Sequence, residues 1–113
     1  MNYRNTRVYS RSLELVRHTQ LIMSELPNGY GFLADQLRRA VSSIVLNFSE
    51  GCGKSSIADR KRFFQIARAS AYEVAAAFDV GHALGVVSPD ALEHGIELCD
   101  HVSAMLTRFG GLR

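Results

Sequence analysis

Apolar positions recur at three- and four-residue steps in four successive stretches of the chain, which is the spacing of amphipathic helices. In the first, about residues 10–26, Leu15, Val16, Thr19, Ile22, Met23 and Leu26 share a face while Arg11, Glu14, Arg17 and His18 lie elsewhere. Pro27-Asn28-Gly29 then stops the run. The second, about 32–50, sets Leu33, Leu37, Ala40, Ile44 and Phe48 on one stripe that Val41 and Val45 widen. The third, about 56–85, opens on Ser56 as N-cap with Asp59 in the first turn. It carries a main stripe of Phe63, Ile66, Ala67, Ser70, Val74, Ala77, Gly81 and Leu84, and a second of Phe64, Ala71, Ala75 and Phe78. The fourth, about 89–109, starts at a Ser88 cap with Pro89 in first position, and turns Leu92, Ile96, Cys99, Val102, Leu106 and Phe109 inward before Gly110-Gly111.

Four amphipathic helices joined by short turns in 113 residues predict an all-α fold: one domain, 1–113, built as an antiparallel up-down-up-down four-helix bundle. A third helix apolar on two sides needs two sets of partners. Its Ala-rich run "ARASAYEVAAAF" allows close backbone approach, so one set is expected to come from the bundle and the other from a second subunit in a homo-oligomer. Gly51 is expected to take the left-handed conformation that ends the second helix.

Composition narrows the class. The hydrophobic fraction of 47% and charged fraction of 21% are those of a chain that folds. No stretch approaches the roughly 20 apolar residues of a membrane-spanning helix, and the polar start MNYRNTRVYSR is no signal core, so a cytoplasmic location off the membrane is expected. Two cysteines, Cys52 and Cys99, make no disulfide framework or zinc knuckle and are read as free thiols.

Catalytic patterns find little purchase. "GCGKSS" ends like a phosphate-binding loop, but counting back from Gly53-Lys54-Ser55 reaches Phe48 where the first glycine must stand, and the segment before it is helical. Lys54 is then an ordinary loop charge. His94, Glu97 and His101 fall at i, i+3 and i+7, yet the paired Glu-x-x-His motifs of a di-iron bundle are missing, so they are read as a polar outer stripe. No nucleophile elbow is found. No cofactor, metal or enzymatic activity is expected.

Charge is the stronger signal. Residues 1–68 hold eleven Lys/Arg against five Asp/Glu, and residues 69–113 hold two against six. Arg4, Arg7 and Arg11 interleave with Tyr3 and Tyr9 on an N-terminal arm. Arg38 and Arg39 sit in the second helix, and "KSSIADRKRFFQIAR" gathers Lys54, Arg60, Lys61, Arg62 and Arg68. Such clusters bind RNA or DNA through phosphate contacts and counterion release. The same arginines could pair instead with an acidic protein partner, which makes a protein-interaction scaffold the alternative.

The stretch "QLRRAVSSIVLNFSEGCGKSS" followed by "RFFQIARASAYEV" resembles the four-helix-bundle family that includes the proteins encoded by intervening sequences in bacterial large-subunit ribosomal RNA genes. The matching positions are Gln36, Leu37, Arg38, Arg39 and Ala40, then Ser43, Ile44, Asn47, Glu50 and Gly51, then Arg62, Phe63, Ala67, Ser70 and Glu73. The resemblance implies a four-helix bundle assembled as a ring-like homopentamer with no established enzymatic activity. It also implies kinship to the accessory variability determinant of diversity-generating retroelements, a basic pentamer that works with a reverse transcriptase and nucleic acid. "LPNGYGFLADQ" and Phe48-Ser49 depart from the family pattern. Gln36, Ser43, Asn47, Glu50, Gly51, Ser70 and Glu73 are structural candidates, with Asn47 and Glu50 expected to bond loop amides or an arginine such as Arg62.

Overall fold

Side-chain caps set where three of the four α-helices begin, the second alone starting without one. In the computed structural model, which describes residues 2–113, a short 3-10 turn at Tyr3–Asn5 leads into α1, Arg7–Ser24. Thr6 Oγ1 accepts from the Tyr9 amide at 3.1 Å, so α1 starts one turn earlier than the apolar spacing suggests. The N-terminal segment is therefore not a loose arm. Its Tyr3 ring packs edge-on against Tyr9 at 5.0 Å between centroids.

Helix α2 spans Gly31–Cys52, α3 Ile57–Ala83 and α4 Pro89–Gly110. Ser56 and Ser88 cap α3 and α4 by accepting from the amides of Asp59 and Ala91, and Asp59 and Asp90 lie in the positively polarised first turns. Gly111, at φ 63°, closes α4 in the left-handed conformation.

Gly51 does something other than end α2. It is helical and buried, and a Cβ there would stand 2.7 Å from Cε1 of Phe64. The glycine is a seat for an aromatic ring of the next helix, and α2 continues past it to Cys52, capped at Gly53.

The helices pack in a cycle: α1 on α2, α2 on α3, α3 on α4 and α4 on α1, with α1 diagonal to α3 and α2 diagonal to α4. Connections of four to six residues make successive helices antiparallel. Consequently the start of α1, the α2–α3 turn and the end of α4 share one end of the bundle.

The core runs through Leu15, Leu37, Ile44, Phe48, Phe64, Val74, Phe78, Leu98, Val102 and Leu106, all essentially inaccessible. Phe64 and Phe78 belong to the second stripe of α3, so that stripe does not face another subunit. Phe63, Ala67, Ser70, Val74, Ala77 and Gly81 of the main stripe and Phe64, Ala71 and Phe78 of the second form one wide buried arc, because α3 packs against α2 and α4 at once. Phe64 fills the space over Gly51, and Phe78 fills the space over Gly95 of α4. The outward face of α3 carries different apolar residues: Ile66, Val80 and Leu84 are exposed, two of which the main stripe counted as inward.

Candidate nucleic-acid interface

The topology sorts the charges by bundle end more sharply than by sequence half. Cut at the helix midpoints, residues 2–15, 42–70 and 100–113 hold ten Lys/Arg against four Asp/Glu. The remainder holds three against seven. Arg108 and Arg113, from the acidic sequence half, join the basic end, and Arg17, Arg38 and Arg39 leave it.

The start of α3 supplies the densest cluster. Because Phe63 and Phe64 point inward, the flanking cations lie along their rings: the Arg62 guanidinium is 4.5 Å from the Phe63 centroid, Lys54 Nζ is 5.1 Å from it, and Arg60 is 5.7 Å from Phe64. Arg60 also donates to the Cys52 carbonyl at 3.5 Å, tying the α2 end to α3. Lys61 reaches across Gly111. Arg68 donates to Thr107 Oγ1 at 3.0 Å and to the Arg113 carbonyl at 2.9 Å, so it fastens the end of α4. Among the described residues, Lys54 is the one member of this group with a carboxylate partner, Glu50 at 3.7 Å.

Arg38 and Arg39 are not brought to this cluster. Arg38 pairs with Asp35 at 3.0 Å, and Arg39 bonds Gln36 at 2.7 Å and lies 3.6 Å from Glu73. The contact with Glu73 places Arg39 about 20 Å along α3 from Arg60, at 1.5 Å per helical residue.

The remaining motif residues converge on the seam between α2 and α3. Gln36 donates to Glu73; Ser43 and Ser70 share a hydrogen bond at 2.8 Å; Asn47 donates to the Ser43 carbonyl at 2.8 Å and to its hydroxyl at 2.9 Å. Asn47 thus bonds back within α2 to Ser43, Glu50 pairs with Lys54 of the α2–α3 connection, and Arg62 turns to Phe63 instead. Gly51 completes the seam as the seat of Phe64.

Five of the seven motif positions therefore form a polar ladder with Gly51 at its foot, and Glu50 holds the loop that follows. The chain belongs to the 23S rRNA-intervening sequence protein family. That family's model matches residues 4–108. The crystal structure of a protein of unknown function from the S23 ribosomal protein family of Bacteroides thetaiotaomicron superposes with a TM-score of 0.81. At 23% identity over 90% of this chain and 96% of that one, the likeness shows the fold. No curated protein matches.

Other polar groups serve the scaffold. His18 Nε2 donates to the Ala91 carbonyl at 2.8 Å and its ring meets that of the exposed His94 edge-on, 4.7 Å between centroids. Glu97 and His101 are also exposed. Burial pushes the Cys99 thiol up to about 12, helped by Asp100 and Asp79, and burial raises Cys52 as well. No helix among the described residues is long and apolar enough to cross a membrane.

Sequence reasoning underrated Arg7, Arg11 and Arg108. The signal that finds them is the antiparallel order itself, which sets the first turns of α1 beside the last turns of α4.

Proposed function

We propose that this protein is a non-catalytic, homo-oligomeric bundle that binds RNA or DNA, free or within a ribonucleoprotein, through its basic end. The observation that carries the reading is the end-to-end separation of charge, ten cations against four carboxylates at one end. A concentrated positive field draws the phosphate backbone and releases its counterions without needing base readout. Arg60, Lys61 and Arg62 are free of carboxylate partners among the described residues and project from one turn of α3, which suits sequence-independent backbone contact.

The oligomeric part rests on the outer α2–α3 face. Phe32 and Leu46 on α2, with Ile66, Val80 and Leu84 on α3, are exposed in a single chain, and a shallow apolar cleft of about 400 Å³ lies between Phe32, Gln36, Glu73, Ala76 and Val80. A second copy covering this face removes those groups from water, and a ring such as the homopentamer that the family resemblance implies would do so for every copy. An acidic or apolar protein partner on the same face is the second reading, a scaffold role.

Fluorescence anisotropy with a labelled single-stranded RNA across a salt series tests the nucleic-acid reading. Replacing Arg60, Lys61 and Arg62 together by Ala is expected to weaken binding on every sequence and to reduce the log–log salt slope by about two. No binding at low salt by the unmodified protein sinks it. Light scattering that returns the monomer mass at working concentration sinks the oligomeric part.

A further inference from the structure

Two adjoining clefts open between α1 and α4 at the basic end. One, about 290 Å³, is lined by Arg7, Arg11, His101, Ala104, Met105 and Arg108. The other, about 320 Å³, shares Arg7, Met105 and Arg108 and continues to Thr6, Val8 and Phe109. The first is a polar trough with three guanidinium groups, and the second has an aromatic wall.

The polar trough is built for an anion. Arg7 and Arg108 have no side-chain hydrogen bond or ion pair among the described residues, although they approach from different helices. Arg11 is held at 2.8 Å by Glu14, whose carboxyl that hydrogen bond lowers below its usual range; one guanidinium edge is thereby oriented while others remain available as donors. Three guanidinium groups against one carboxylate leave the trough net positive.

The aromatic wall is rigid. The Phe109 ring meets Phe48 at 5.3 Å and Phe64 at 5.6 Å, both edge-on, so the core fixes its orientation while 40% of the residue stays exposed. A fixed, half-open aromatic beside a cationic trough is the pairing with which proteins hold single-stranded nucleic acid: phosphate on the cations, base on the ring.

We propose that the α1–α4 groove holds one nucleotide unit of single-stranded nucleic acid, with its phosphate against Arg7, Arg11 and Arg108 and its base over Phe109. The proposal rests on the reading of the basic end as a nucleic-acid interface and adds a site away from the α3 cluster. Met105, common to both clefts, supplies the apolar floor between phosphate and base.

The test uses a fluorescein-labelled oligo-uridine 12-mer and the full-length protein. Replacing Arg7 and Arg108 together by Ala is expected to weaken binding about ten-fold or more, whereas Arg17→Ala, on α1 outside the groove, leaves it unchanged. Because the chain contains no tryptophan, Phe109→Trp installs a sole reporter that keeps the apolar ring. Its emission is expected to be quenched as an unlabelled 12-mer saturates it. Wild-type affinity in the double variant, or unchanged Trp emission at saturation, overturns the groove assignment while leaving the basic-end reading intact. Failure of the unmodified protein to bind the 12-mer removes both.

Discussion

The α2–α3 side and the α1–α4 side of this bundle handle polar groups in opposite ways. On the first, Gln36, Arg39, Ser43, Asn47, Ser70 and Glu73 bond to one another along the seam, Arg38 is paired with Asp35, and exposed apolar side chains such as Phe32, Leu46, Ile66 and Val80 lie on the same two helices. On the second, Arg7 and Arg108 stay unpaired among the described residues, around an open groove. A side whose polar groups satisfy one another can be covered by a further protein surface at little desolvation cost. A side that keeps unpaired cations loses by such covering and gains by meeting an anion. Under the proposed function, this difference would put assembly on the first side and the ligand on the second.

The largest expected effect tests whether the two sides share a foundation. Phe64 seats on Gly51 of α2 and contacts Phe109 of α4, so it underlies both. Phe64→Ala is expected to cost about 3–5 kcal/mol in denaturant unfolding, the cost of truncating a buried phenylalanine. A loss under about 1 kcal/mol would mean the two sides are stabilised separately. Arg108→Ala, by contrast, is expected to shift stability by no more than about 0.5 kcal/mol.

The next effect separates the inner face of α4 from its groove. Burial holds the Cys99 thiol protonated to about 12 in the folded chain, while in the unfolded chain it ionises in the ordinary thiol range. Below that range both states keep the proton and the group is neutral to stability. Above it only the unfolded state loses the proton, so stability falls as pH rises, by on the order of 3–4 kcal/mol at the top of the window. Cys99→Ala is expected to flatten this alkaline limb in urea titrations from about pH 8.5 to 11. An unchanged slope would mean that the thiol is not dry.

Helix existence, capping at Ser56 and Ser88, and most of the inward positions were legible in the chain because each depends on local spacing; Ile66, Leu84 and Phe109, read as stripe members, are exposed because they sit at the edges of their faces. Gly51 was misread for a physical reason: a glycine near a helix end looks the same whether it supplies a left-handed turn or yields room to Phe64, and only the packing partner decides. Which partners the two stripes of α3 meet was not legible either, since counting apolar faces does not say how many neighbours one wide arc can reach. The groove was hidden because Arg7 and Arg108 lie a hundred residues apart, one in each charge half.

A third, smaller effect compares the two aromatic seats. Ala at Gly51 would bring its Cβ to 2.7 Å from the Phe64 ring, and Ala at Gly95 to 2.6 Å from the Phe78 ring. Alanine's better helix propensity returns up to about 1 kcal/mol, but pushing a buried ring aside costs more, so each variant is expected to lose about 1–3 kcal/mol in thermal or urea unfolding. Comparable losses would mark α3 as gripped equally by both neighbours. A neutral Gly95→Ala with a damaging Gly51→Ala would mean that α4 shifts more easily than α2.

The smallest effect decides which side meets nucleic acid. Arg39 is highly exposed, and its bonds to Gln36 and Glu73 lie in water, where ion pairs contribute about 0–1 kcal/mol. Replacing Arg38 and Arg39 together by Ala is therefore expected to leave unfolding nearly unchanged. It is also expected to change RNA affinity less than about two-fold, because Asp35 and Glu73 already offset these cations toward any incoming phosphate. The Arg7 and Arg108 double variant carries the same loss of charge, so net charge cannot explain a difference between the two. Equal weakening by both pairs would show that the phosphate responds only to the summed field, and stronger weakening by Arg38 and Arg39 would move the nucleic-acid face to the α2–α3 side.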